Sequence, residues 1–208
     1  MYTEMTLSGF LDELASDSPA PGGGSVSALA GSLGASLVVM VAHFTAGRSA
    51  SEEQERRTQD HLKEARRLRQ LLQENVDGDT VAYNQVIKAY RMPKENGEEK
   101  TARSRAIQEA LQEATRFPLQ VARNALELLR LCPWAVAEGN PNTWSDAAVA
   151  ALMAQSGIEG ALANVYINLK GIKDEAFVEK MRVQALEIRV SARLLQDEIS
   201  NLLGERYS

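Results

Sequence analysis

Cysteine and histidine are almost missing from this chain, and with them two kinds of chemistry. A single cysteine, Cys132, rules out an internal disulfide, and His43 and His61 cannot complete a zinc site of the usual kind with it. Surplus basic charge is missing too. The 23 Lys and Arg face 28 Asp and Glu, for a net charge of −5, and the sequence pI is near 5.2. Nucleic acids and anionic membranes select for clustered cations, and here the basic residues are interleaved with acids, so neither is an expected partner. No alternating strand pattern, internal repeat or low-complexity tail is present. The amino terminus, MYTEMTLSGF, carries an acid and no apolar core before Gly9. No signal peptide is therefore expected, and the cytoplasm is the expected compartment.

What is present is helical period, nearly everywhere. At 208 residues and 44% hydrophobic, the chain is expected to form one domain over 1–208 with a substantial core. The most distinctive stretch, Pro19 to Gly47, opens on a glycine triplet (PAPGGGS) and continues through small residues with no Asp, Glu, Lys or Arg. Adjacent glycines permit dihedrals that side chains forbid and let a ligand approach the backbone, and Ser25 is expected to cap the helix that follows. GGGS lacks the lysine and hydroxyl spacing of a P-loop. The stretch is long enough to cross a bilayer, but its Ala, Gly and Ser content favours a buried central helix. Gly24, Ala28, Ser32 and Ser36 form a face for close helix approach, and Leu29, Leu33 and Leu37 are expected to face the core.

Around it the periodicity predicts a short amphipathic helix over Thr6–Asp17 and a long one from Ser51 to about Met92. The next runs from Lys100 to Leu131, kinked at Pro118 and stopped by Cys132-Pro133. The turn-forming run EGNPNTWSD leads to a helix from Thr143 or Ser145 to about Lys170, and Gly171 and Asp174 precede a last helix. The apolar residues assigned to that last helix are Val178, Met181, Leu186, Leu194, Leu195, Ile199 and Leu202. Short loops between such helices imply an all-α, up-and-down multi-helix bundle.

Two stripes carry polar residues where apolar ones are expected. Along the third helix Leu68, Leu72, Val76, Asp79, Tyr83, Val86 and Tyr90 recur at steps of three or four, which puts Asp79 on the core side. Asp77 lies about 200° away round the helix and is expected to be solvated. A carboxylate among apolar neighbours is costly unless paired, hydrogen-bonded or protonated, so Asp79 is either a structural acid or a functional one with a shifted pKa. On the later helix Asp146, Ala150, Met153, Gly157, Gly160, Asn164 and Asn168 share a stripe. Asp146 fits a first-turn acid favoured by the helix dipole, and the asparagines fit either interhelical hydrogen bonds or a polar cleft. Trp134 and Trp144 bracket the GNPN turn, as packing residues or as a stacking surface.

Together the segments FLDELASDSPAPGGGSVSALAGSLGASLVVMV, DGDTVAYNQVIKAYRMPK, EKTARSRAIQEALQEATRFPLQVAR, GNPNTWSDAAVAAL and ALANVYINLKG resemble the cyclodeaminase/cyclohydrolase family of one-carbon folate enzymes. The resemblance spans essentially the whole chain. It implies a helical homodimer acting on a tetrahydrofolate derivative, with neither metal nor bound cofactor. The activity implied is methenyltetrahydrofolate cyclohydrolase, which gives 10-formyltetrahydrofolate. The alternatives are formiminotetrahydrofolate cyclodeaminase and a non-catalytic folate-binding dimer, and no fused transferase domain is expected within these 208 residues.

By the same resemblance Asp79, in a D-x-x-A-aromatic motif with Ala82 and Tyr83, is the general base or proton shuttle. Pro21, Gly22, Gly23, Gly24 and Ser25 would line the folate cleft, with Asn140, Asn142, Ser145 and a catalytic Asp146 opposite. Asn164 and Asn168 would orient substrate or water, and Arg48, Lys88, Arg91 and Lys94 are candidates for the glutamate tail.

Overall fold

In the computed structural model, which describes residues 1–207, six α-helices and two 3-10 turns account for nearly all of the chain. The helices are α1 (Leu7–Leu14), α2 (Gly23–Thr45), α3 (Glu52–Tyr90), α4 (Gly97–Ala137), α5 (Trp144–Leu169) and α6 (Glu175–Tyr207). Side-chain caps start several of them. Thr6 Oγ1 accepts from the Gly9 amide, Ser51 Oγ from Gln54, Asn96 Oδ1 from Glu99 and Asp174 Oδ1 from Phe177.

From α2 onward each helix reverses on the last. Gly31 meets Leu72 of α3, Gly78 of α3 meets Phe117 of α4, and Ala125 of α4 meets Gly157 of α5. Helix α2 occupies the centre, packed on α3, α4 and α5. The α2–α5 crossing is close because glycine removes the side chains that would separate the axes. A β-carbon built on Gly34 lies 2.8 Å from the Ala150 carbonyl, and one on Gly157 lies 3.0 Å from that of Ser27. Helix α2 is the one helix among the described residues long and apolar enough to cross a membrane, and about half of that stretch is buried within the bundle.

Several expectations are corrected here. The leucine face of α2 is not core: Leu33 is 51% exposed and Leu29 and Leu37 are half-buried, while Ala28, Ala35, Val38 and Val41 carry the interior. On α6 the buried side is Met181, Ala185, Ile188, Ala192 and Ile199, and Leu186 and Leu194 of the same helix point outward. Pro133 does not stop α4, which continues to Ala137. A proline removes only its own donor, and packing on both sides holds the rest of the helix. Trp134 is buried and stacked on His61, ring centres 4.4 Å apart.

The hairpin of α3 and α4 is longer than its neighbours. At about 1.5 Å per residue, the 11 residues of α3 beyond Asp79 carry it roughly 16 Å past the start of α2. Its tip is therefore wet, and Tyr83 and Tyr90, placed on the core stripe by periodicity alone, are 37% and 47% exposed.

Candidate active site

Asp79 projects from α3 onto the first turn of α2. Its carboxylate accepts the backbone N–H of Ser25 and lies so close to the Gly24 Cα that a β-carbon there would coincide with it. The first four amides of a helix have no partner within it, and the dipole makes that end favourable for an anion. Asp79 thus caps α2 from a neighbouring helix. Ser25, expected as the cap, is already inside the helix, whose N-cap is Gly22 with no side-chain bond. The Ser25 hydroxyl is fully buried and makes no hydrogen bond among the described residues. Burial raises the Asp79 carboxyl above the usual aspartate value, and the Ser25 amide offsets part of that rise.

The glycine triplet is needed for less strain than expected. Gly22 has φ −132° and ψ −162°, extended backbone open to any residue, and Gly23 and Gly24 are helical. Gly47 alone among the described residues has a positive φ. Gly24 is required by the Asp79 carboxylate. A β-carbon on Gly22 would meet nothing within 4 Å, and one on Gly23 would meet Asn164 Nδ2 at an ordinary 3.5 Å. Pro21 is buried beside them.

Asn164 reaches this end of α2, donating its amide to the Gly160 carbonyl at 2.9 Å. Asn168, one turn on, is committed elsewhere. Its Nδ2 donates at 2.6 Å to the Ala114 carbonyl, the acceptor left without a helix donor by Pro118, four residues later. Of the two readings for Asn168, the interhelical bond is the one seen. Asp77 is also corrected: it accepts the Tyr2 N–H at 2.5 Å and the Thr3 hydroxyl at 2.7 Å, holding down the amino-terminal turn.

The GNPN–SDA segment does not face the glycine loop within one chain. Asn140 is buried against the other end of α2, its N–H donating to Thr45 Oγ1 at 2.9 Å and its Nδ2 to the Phe44 carbonyl at 3.0 Å. Its side-chain oxygen accepts the Asn142 amide at 3.0 Å. The 23 residues of α2 separate this end from Asp79 by about 33 Å, so Asn142, Ser145 and Asp146 lie far from it. Arg48, just past α2, is at that far end too. Lys88 lines a groove between the outer parts of α3 and α4, and Arg91 and Lys94 are exposed beyond it.

One lining was missed. A cavity of about 710 Å³ opens between α3, α4 and α6, with Gly78 and Ala82, which flank Asp79 in sequence, on its α3 wall. Arg116, Gln120 and Arg123 face it from α4, and Lys180 and Gln184 from α6. Their i, i+4, i+7 and i, i+4 spacings were the available signal.

Residues 6–187 match the Formiminotransferase-cyclodeaminase family. A methenyltetrahydrofolate cyclohydrolase of Methylorubrum extorquens is 42% identical over 182 residues, 88% of this chain and 87% of that protein. A formimidoyltransferase-cyclodeaminase of Mus musculus is 35% identical over 85% of this chain, which spans only 33% of that longer protein. The crystal structure of a formiminotetrahydrofolate cyclodeaminase from Thermotoga maritima superposes with a TM-score of 0.89 at 27% identity, each chain covered completely. The chain is a member of the formiminotransferase-cyclodeaminase family.

Proposed function

We propose that this protein is a methenyltetrahydrofolate cyclohydrolase that uses Asp79 as its base. The observation that carries the reading is a half-buried carboxylate held on a helix N-terminus beside a glycine that leaves room for nothing else. The cyclohydrolase relative, alike over nearly its full length, supports the choice of reaction.

A methenyl bridge between two folate nitrogens is an amidinium-like cation, so its carbon accepts water without a covalent catalyst. A nearby carboxylate stabilises that cation and takes the proton as the water oxygen bonds to carbon, work of about 10²- to 10⁴-fold in rate. The bond from that carbon to one ring nitrogen then breaks. That nitrogen receives a proton, and the formyl group stays on the other. A raised carboxyl pKa brings the base nearer its working pH, and the Ser25 amide favours the ionised form.

The test is decay of methenyl absorbance with purified protein. Hydrolysis no faster than in buffer would sink the assignment. The cyclodeaminase reading is favoured by the Thermotoga neighbour, and ammonia release from formiminotetrahydrofolate distinguishes it. We further propose that a second copy covers the outer face of α2, where Val26, Leu33 and Phe44 are 37%, 51% and 49% exposed along an uncharged helix. An antiparallel pairing there would carry the Asn140–Asp146 end of one copy toward Asp79 of the other.

A further inference from the structure

We infer that the cavity between α3, α4 and α6 holds the acidic arm of the substrate, with Arg123 and Lys180 binding its carboxylates. The inference rests on the folate reading above, because a folate carries a flat p-aminobenzoyl ring followed by one or more glutamates. The position fits such an arm. Ala82 follows Asp79 by one turn of α3 and lies about 60° round the helix from it, so the cavity and the carboxylate occupy neighbouring faces of the same segment. A volume of about 710 Å³ lies within the range of small-molecule sites. Phe117 and Met181 give an apolar wall for a ring, and the α4 and α6 polar residues stand at its edge.

Charge is the second argument. Arg116 is bonded to Glu113, the one acid in the lining. Arg123 and Lys180 make no ion pair among the described residues, a state shared by eight other arginines and six other lysines, so what marks these two is their place on the cavity lining. Arg123 has Glu127 at i+4, the spacing that normally neutralises it, but Glu127 bonds Arg130 instead. Two cations without ion pairs therefore line, from different helices, a cavity with apolar walls whose α3 side is formed by Gly78 and Ala82, residues on either side of the proposed base in sequence. Guanidinium and ammonium groups so placed suit carboxylates.

The experiment compares wild type with the Arg123→Gln/Lys180→Gln double variant in two arms. In the first, binding of p-aminobenzoyl-triglutamate is measured by calorimetry at low and high salt, with p-aminobenzoate as reference. The expected result is roughly ten-fold weaker binding by the variant, with the salt dependence of wild type reduced. In the second, methenyltetrahydrofolate is assayed with one and with three glutamates, and the loss is expected in KM rather than kcat. A wild type that gains nothing from the glutamates, or a variant that matches wild type in both arms, overturns the proposal. Absence of methenyl turnover with tail binding intact would fail the folate reading and leave an anion site. Turnover with a KM indifferent to tail and variant would do the reverse.

Discussion

Gly24→Ala separates the role of the glycine from that of the fold. The new β-carbon would occupy the position of the Asp79 carboxylate. Helix α2 has little room to move aside, since even a β-carbon added at Gly31, Gly34 or Gly157 would lie only 3.1, 2.8 or 3.0 Å from Leu72 of α3, Ala150 of α5 or Ser27 of α2. What yields is the free end of the Asp79 side chain, which rotates off the helix. The lost carboxylate–amide bond costs about 1.5–3 kcal/mol when counted as a charged hydrogen bond, and partial exposure reduces it. Relief of the buried charge and the better helix propensity of alanine, up to about 1 kcal/mol, work the other way. The net change is then within about 1 kcal/mol, or roughly 2–4 °C in Tm for a domain of this size.

Turnover behaves differently, because a carboxylate rotated away from the reacting carbon is no longer a base. The expected loss in kcat is about 10²- to 10⁴-fold, the same as for removing the acid. Thermal melts and methenyl absorbance on one preparation read both quantities. Gly23→Ala, whose β-carbon meets Asn164 at an ordinary distance, is the folding control. If Gly24→Ala keeps wild-type turnover, the carboxylate is not the base in this position. If it drops Tm by 10 °C or more, far beyond the shift estimated above, α2 has moved instead of the side chain.

Asp79→Asn should lose turnover to the same extent while its stability at pH 7 holds or rises by about 1 kcal/mol. The sign follows from the raised carboxyl: the folded state binds the proton more tightly, so wild type loses stability as pH climbs from about 3.9 through the folded value. The Tm gap between variant and wild type should therefore open with rising pH and close below that window; a gap independent of pH would contradict the burial argument. Asp77→Asn should cost about 1 kcal/mol through the Tyr2 and Thr3 contacts and leave kcat alone, measured by urea melts and initial rates. Asn168→Ala orphans the Ala114 carbonyl and should cost about 1–3 kcal/mol with normal turnover per folded molecule; a stable variant with a raised KM would return Asn168 to the substrate. If copies pair through α2 as proposed, wild type should sediment as a dimer and Leu33→Arg as a monomer, and equal masses for the two would remove the α2 face from the interface.

Helix number, period and the anomaly at Asp79 were legible because a 3.6-residue repeat needs no tertiary information: Leu68, Leu72 and Val76 carry the phase onto Asp79, and all three are buried. Local pattern did not distinguish an inner apolar face from one facing outward, which is why Leu33 was assigned to the core. Nor did it show that Asn168 bonds the Ala114 carbonyl, the acceptor freed by Pro118, across 54 residues of sequence. The partition of the site between two ends was a different matter. In an up-and-down bundle the direction of each helix alternates, so the start of α2 must lie beside the later part of α3, the early part of α4 and the later part of α5. Counting reversals alone puts Asp79 and Asn164 with the glycine loop, and Asn140 and Asp146 with Thr45. The motif segments quoted from the chain carry no such parity. For that reason any contribution of Asp146 to chemistry at Asp79 has to come from another copy of the chain, and the sequence already contained the means to say so.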